Sequence, residues 1–223
     1  MSLRDMRVHY DVGEFDEAGL ASDPLAQFRI WFDAAVAAAL PEVNAMVVAT
    51  VGLSDGGTPQ PSARTVLLKD ADERGFVFFT NLLSRKASEL AAVPGISCVF
   101  PWFAMHRQVV VVGRAELLSR DEVDAYFRVR PRGSRIGAWA SAQSTVIQGR
   151  ELLEKRFAEL DAEFPDDDIP TPDFWGGWLV RPASIEFWQG RPSRLHDRLR
   201  YVAQADQPDL GQSSDWRVER LSP

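Results

Sequence analysis

Four arginines and a histidine crowd one short stretch, "WQGRPSRLHDRLRY", from Trp188 to Tyr201: Arg191, Arg194, Arg198, Arg200 and His196. The chain around it is acidic, with a formal net charge of −7 over 223 residues. A local excess of cations in such a chain points to a small anion rather than to nucleic acid or an anionic membrane. Similar residues recur elsewhere. In "FFTNLLSRK", Thr80, Ser84, Arg85 and Lys86 stand where a strand runs into a helix. Unpaired backbone N–H groups beside cations suit a phosphate there, and cations at a helix start are otherwise disfavoured by the dipole. On this stretch alone, solvated surface charge is the alternative. In "SARTVLLKD", strand alternation puts Arg64, Val66 and Leu68 on one face and Thr65, Leu67 and Lys69 on the other. In "AYFRVRPRGS", Tyr126 and Arg130 share a helix face, and Ser134 follows the break at Pro131. A phenol, a guanidinium and a hydroxyl together would hold a phosphate monoester. An exposed helix end carrying a half-buried tyrosine would look the same. Gln143 and Ser144 precede a helix, where a serine commonly serves as a cap. Gln108 opens an apolar strand, where its amide reads a heterocycle edge or merely ends the strand.

Several other chemistries lack their residues. There is no G-x-x-x-x-G-K-[ST], no G-x-G-x-x-G after a strand and no G-x-S-x-G. The three histidines, His9, His106 and His196, form no H-E-x-x-H, so no metal site is expected. The single cysteine, Cys98, lies in the apolar run "GISCVF" and reads as core packing. This cysteine usage fits a reducing cytoplasm. The first twenty residues contain no apolar signal region, and no stretch has the length of a membrane span.

The elements that would position these residues follow from the hydrophobic pattern. Residues 1–21 are polar and acidic and are expected to be mobile; 22–223 read as one domain. A helix begins near Pro24, capped by Ser22 or Asp23, with Leu25, Phe28, Phe32, Val36 and Leu40 as its apolar stripe. Strands follow at "AMVVATVGL", "SARTVLLK" and "GFVFFT", separated by the turn signals "SDGG" and "DADERG". "SRKASELAAV" is a short helix, and "GISCVFPW" and "RQVVVVGRAELL" are strands. Ser119 and Glu122 form a capping box for the helix "SRDEVDAYFRVR". A longer helix is expected over "STVIQGRELLEKRFAELDAEF", then strands at "WLVRPASIEFW" and "WRVERL". Hairpin-like succession without regular strand–helix alternation argues for an antiparallel sheet or barrel with added helices, mainly β in the α+β class.

Taken together, "RTVLLKD", "VFFTNLLSRK", "FPW", "RQV", "YFRVRPRGSRIGAWAS", "FWGGW", "IEFWQG" and "RLHDR" resemble, in wording and order, the pyridoxamine 5'-phosphate oxidase family. The resemblance runs from about Ser22 to the C-terminus. It implies an antiparallel FMN-binding split β-barrel, a homodimer with FMN at the subunit interface. It also implies oxidation of pyridoxine or pyridoxamine 5'-phosphate to pyridoxal 5'-phosphate, with O2 as acceptor and H2O2 as product. Carried over by motif, Arg64, Thr65, Val66, Leu67, Leu68, Lys69, Phe79, Thr80, Arg85, Lys86, Gln108, Gln143, Ser144, Trp188 and Arg198 would contact FMN. Lys69, Tyr126, Arg130 and Ser134 would hold the substrate phosphate, and Arg194 and His196 would stand at the substrate ring as catalytic residues.

The sequence departs from the family in places. Phe79 stands where a tyrosine is frequent, and Arg191–Pro192 replaces a frequent glycine and polar residue. Arg7 and Tyr10 have the spacing of an Arg-x-x-Tyr pair that often covers the substrate, but the following "DVGEFDEAGL" is acidic where the family is often basic. If the stretch after Trp188 is extended, Arg194, His196 and Arg198 point the same way, at a seam between the two ligands. Three other readings compete: a split-barrel flavin oxidoreductase with another substrate, such as a phenazine-pathway relative; a non-enzymatic flavin or pyridoxal-phosphate carrier; and a nucleic-acid binder. The intact set Lys69, Tyr126, Arg130, Ser134, Arg194 and His196 favours the oxidase.

Overall fold

The computed structural model describes residues 2–6, 10, 13–54 and 56–223. Helix α1 (Pro24–Ala37) starts as its sequence dictates: the Asp23 carboxylate accepts from the N–H of Ala26, and Pro24 occupies the first turn. Its buried face is Leu25, Phe28, Trp31 and Ala35. This is rotated from the expected stripe: Phe32 is only partly buried, and Val36 is 54% exposed. Phe28 packs edge-on against Phe76 and Phe100, and Trp31 against Phe187, which fixes the helix on the sheet.

The strands are β1 (Ala45–Leu53), β2 (Pro59–Leu67), β3 (Asp70–Asp72), β4 (Gly75–Asn81), β5 (Gly95–Trp102), β6 (Arg107–Leu117), β7 (Trp175–Gln189), β8 (Asp197–Ala203) and β9 (Trp216–Arg220). Every pairing is antiparallel. The hydrogen-bonded path runs β2-β1-β5-β6-β7-β4-β3, with β8 and β9 branching from β7. Among the described residues the path does not close, so the architecture is a split barrel with added helices, as expected.

The split lies in β7. Its first half pairs with β4, its second half with β8, and β6 accompanies it throughout. The register of β6 shifts between Val112 and Gly113. A Cβ at Gly113 would stand 2.0 Å from the Arg181 carbonyl oxygen, so only glycine permits this bulge.

Helix α2 (Arg85–Ala92) joins β4 to β5. Helices α3 (Arg120–Arg128), α4 (Arg132–Ala140) and α5 (Arg150–Glu163) lie between β6 and β7. The Ser119–Glu122 capping box is present. Val123, Phe127, Ile136, Leu160, Ile169 and Trp175 form a second apolar cluster that binds these helices to the start of β7.

Three local expectations change. The long helix begins at Arg150, because Ser144 takes a left-handed φ of 74° and Gly149 is the N-cap. The stretch after Pro131 is helical, held by buried Ile136 and Arg135. The stretch after Trp188 is not extended: Pro192–Arg194 forms a 3-10 turn with φ of 56° at Ser193 and 63° at Arg194.

The segment expected to be mobile includes a packed part. Phe15 is buried against Trp31, and its N–H donates to Asp197 Oδ2 at 3.2 Å. The Tyr201 hydroxyl donates to the Ala21 carbonyl at 2.6 Å. Arg7 lies outside the described residues.

Candidate functional site

A cavity of about 790 Å³ opens between β2, β4, α2 and α4. That size suits a ligand of cofactor dimensions. Arg64, Thr65, Val66, Leu67 and Lys69 line it from β2 and just beyond. Phe79 and Thr80 come from β4, Arg85 and Lys86 from α2, Tyr126 and Arg130 from α3 and its end, Ser134 from α4, and Gln143 and Ser144 from the following loop. Leu68 does not line it but turns into the core, where it is 7% exposed. Five cations line the cavity, Arg64, Lys69, Arg85, Lys86 and Arg130, and no Asp or Glu does so among the described residues. In a chain of net charge −7, that wall is built for anions.

Lys86 is held in place locally. It is 7% exposed. Its Nζ donates to Thr80 Oγ1 at 3.0 Å, Gln143 Oε1 at 3.1 Å and Ser84 Oγ at 3.4 Å, all neutral oxygens. Burial, and then the nearby Arg64, hold its pKa below the ordinary lysine value, partly offset by Glu89. The loop that supplies Gln143 is tied down by the N–H of Arg85, which donates to Ser144 Oγ at 3.2 Å. Ser144, singled out as a possible helix cap, instead docks this loop on the start of α2.

Across the cavity, aromatic rings form a wall. Phe79 stacks on Tyr126 with centroids 4.1 Å apart, and on Trp175 at 5.2 Å. Gly177 makes room, since a Cβ there would stand 2.8 Å from the Phe79 ring. Arg130 lies over Trp175 at 4.6 Å, and among the described residues its buried NH1 has no hydrogen-bond partner. Burial lowers its pKa. A buried donor without an acceptor in a cation-lined wall fits a phosphate oxygen well. Trp175 went unnoticed in the sequence; the repeated glycines of "FWGGW" were its available signal.

The remaining expected residues lie elsewhere on the chain. Gln108, Trp188 and Arg198 face one another across β6, β7 and β8 as one cross-strand row. Gln108 and Trp188 line a separate pocket of about 320 Å³, with Tyr10 and His106. Trp188 packs on His196 with ring centroids 4.7 Å apart, and Tyr10 meets both edge-on. His196 Nδ1 accepts from the N–H of Arg191 at 3.0 Å, so the neutral ring carries its proton on Nε2. Burial and then Arg194 lower its pKa.

The opening cluster of arginines divides. Arg198 forks onto Glu186, Arg200 pairs with Glu219, and Arg191 pairs with Glu14 and Asp197. Among the described residues Arg194 has no carboxylate partner. The 3-10 turn also removes the expected alternation of Arg194, His196 and Arg198.

Known proteins place the chain in context. Residues 32–163 match the family model described as pyridoxamine 5'-phosphate oxidase. Residues 175–223 match the one described as pyridoxine 5'-phosphate oxidase C-terminal dimerisation region. The pyridoxine/pyridoxamine 5'-phosphate oxidase of Cupriavidus pinatubonensis is 52% identical over 99% of both chains. That of Burkholderia multivorans is 53% identical, covering 100% of this chain and 99% of the relative. Among solved structures, PhzG from Burkholderia lata, in complex with tetrahydrophenazine-1-carboxylic acid, superposes with a TM-score of 0.84. It is 29% identical and covers 97% of this chain and 100% of its own. A pyridoxamine 5'-phosphate oxidase-related, FMN-binding protein from Nostoc punctiforme shares the fold at 17% identity and a TM-score of 0.66, covering 88% of this chain and 97% of its own. With matches through both its N- and C-terminal parts, the chain belongs to the pyridoxamine 5'-phosphate oxidase family.

Proposed function

We propose that this protein binds FMN and oxidises pyridoxine or pyridoxamine 5'-phosphate to pyridoxal 5'-phosphate, as a homodimer. The observation that carries this reading is the cavity lined by five cations and, among the described residues, no acid, with two sets of hydroxyl and amide groups beside them. A flavin phosphate and a substrate phosphate require two such sets. Arg64, Arg85, Lys86, Thr80, Gln143 and Ser144 suit the flavin phosphate and its neighbourhood. Lys69, Tyr126, Arg130 and Ser134 suit the substrate phosphate, and the unsatisfied NH1 of Arg130 gives that group a donor with no competing acceptor.

When bound, FMN supplies a two-electron acceptor that O2 reoxidises to give H2O2. The protein contributes orientation. Binding energy from both phosphates, remote from the reacting carbon, fixes the substrate over the flavin. Arg194 and His196 would meet the substrate ring, with His196 offering its Nε2–H as donor. The alcohol loses two electrons and two protons to become the aldehyde. The amine does so to become an imine, which water hydrolyses to aldehyde and ammonia.

Arg194, His196 and the row Gln108–Trp188–Arg198 lie at the far end of β7 from Trp175. This separation supports a site completed by the second subunit, in keeping with a C-terminal region of the dimerisation type. We place the enzyme in the cytoplasm on its single buried cysteine.

Similarity to PhzG favours a second reading, oxidation of a carboxylated tricyclic substrate by the same flavin. A turnover assay distinguishes them. Pyridoxine 5'-phosphate should give aldehyde and H2O2, while unphosphorylated pyridoxine and a tetrahydrophenazine carboxylic acid should turn over poorly. Preference for the tricyclic acid would establish the second reading.

A further inference from the structure

Glu89 is a buried acid behind the cationic wall, outside the cavity lining. It is 6% exposed and lies on α2, one turn beyond Arg85. Its Oε1 accepts from Arg85 Nε at 2.8 Å, and its Oε2 pairs with Arg64 NH2 at 3.3 Å. Ser62 Oγ donates to Oε2 at 2.6 Å, and Thr50 Oγ1 donates to the same oxygen in a short bond. Arg64 in turn donates from NH1 to Thr50 Oγ1 at 2.6 Å and from NH2 to Ser62 Oγ. One carboxylate therefore ties together β1, β2 and α2.

The neighbourhood is shaped for it. A Cβ at Gly52 would stand 3.1 Å from Glu89 Cγ and 3.2 Å from its Oε1, closer than most such contacts. The four donors hold the carboxyl ionised, down to a pKa of about 2 despite its burial. Arg85 engages Glu89 only through Nε, the nitrogen at the root of its fork, and its terminal amines take no part in that pair. Glu89 thus restricts two arginines whose side chains would otherwise sample many rotamers.

We propose that Glu89 is a positioning residue of the flavin-phosphate cradle: without touching the ligand, it fixes the guanidinium groups of Arg64 and Arg85 for the phosphate. This rests on the FMN reading above. A buried carboxylate near a phosphate repels it, so the inference requires that ordering the two arginines outweighs that repulsion.

The test compares FMN with riboflavin, which lacks the phosphate, titrated into flavin-stripped protein and followed by flavin fluorescence. Glu89→Gln should weaken FMN binding tenfold or more and leave riboflavin affinity within twofold. Glu89→Asp, which keeps the charge on a shorter stem, should recover part of the loss. Tighter FMN binding in Glu89→Gln, or unchanged binding, would overturn the proposal. So would an equal loss of both flavins, which marks a purely structural role. If Glu89→Gln does not fold, Glu89→Asp decides alone: its FMN-to-riboflavin affinity ratio must fall. A wild-type protein that binds no FMN would instead overturn the flavin reading itself.

Discussion

Trp175 and Trp188 stand near the two ends of a single strand, β7, and each serves a different pocket. Trp175 lines the cationic cavity, and Trp188 lines the smaller one and packs on His196. Thirteen residues of strand rise put about 40 Å between them along the chain. On the proposed function these pockets are two half-sites, and a twofold dimer is the simplest way to bring them together.

That geometry predicts complementation. Lys86→Ala should damage the cradle and Arg194→Ala the substrate end. If each site takes its cradle from one subunit and its Arg194 from the other, a mixed dimer has one intact site and one doubly damaged site. Random reassociation of the two impaired variants should restore about one quarter of wild-type activity. No recovery after verified subunit exchange would show that each chain carries its whole site.

The same two variants should fail differently. Lys86→Ala is expected to lose flavin on dialysis, while Arg194→Ala should keep its yellow colour and turn over slowly. Flavin content and single-turnover reduction rate separate the two effects. Equal flavin loss would contradict this division of roles.

Arg130 should matter only for phosphorylated substrate. A hydrogen bond to a charged group contributes about 1.5–3 kcal/mol, so Arg130→Gln should lower kcat/KM for pyridoxine 5'-phosphate by roughly 10- to 100-fold. Unphosphorylated pyridoxine, turning over slowly, should change little, as steady-state assays on both substrates would show.

The lowered pKa of Lys86 gives FMN binding a pH dependence. The protonated amine is the form that attracts a phosphate. As pH rises through its depressed pKa the charge is lost, so FMN affinity should fall at a pH below that at which an ordinary lysine titrates. Lys86→Arg, which stays charged, should flatten this alkaline limb. The apparent Kd for FMN measured across alkaline pH checks both.

Much of this site was legible because its residues sit in regular elements. Strand alternation groups Arg64, Val66 and Leu68 on one face, and these three are the less exposed residues of 64–69, while the capping box marks the start of α3. What was not legible depends on tertiary context. Gly133 and Gly137 weaken the helical signal of α4, and burial of Ile136 and Arg135 overrides them. In β8, Arg198 and Arg200 hid the strand alternation, because pairing with Glu186 and Glu219 lets charges line a strand whose other face buries Leu199 and Tyr201. The positive φ at Ser193 and Arg194 breaks an apparently extended run that no periodicity distinguishes from strand. Glu89 carried one signal, its i,i+4 spacing from Arg85, but only the fold brings Arg64 to its other oxygen.

Flavin absorbance reports directly on whether this protein oxidises pyridoxine 5'-phosphate. Purified protein loaded with FMN is mixed with pyridoxine 5'-phosphate under anaerobic conditions, and its visible absorbance is followed before and after oxygen is readmitted. The flavin band should bleach and recover with oxygen, with one pyridoxal 5'-phosphate formed for each flavin reduced. A flavin band that stays unchanged with this substrate, in protein that holds FMN, would contradict the proposed activity.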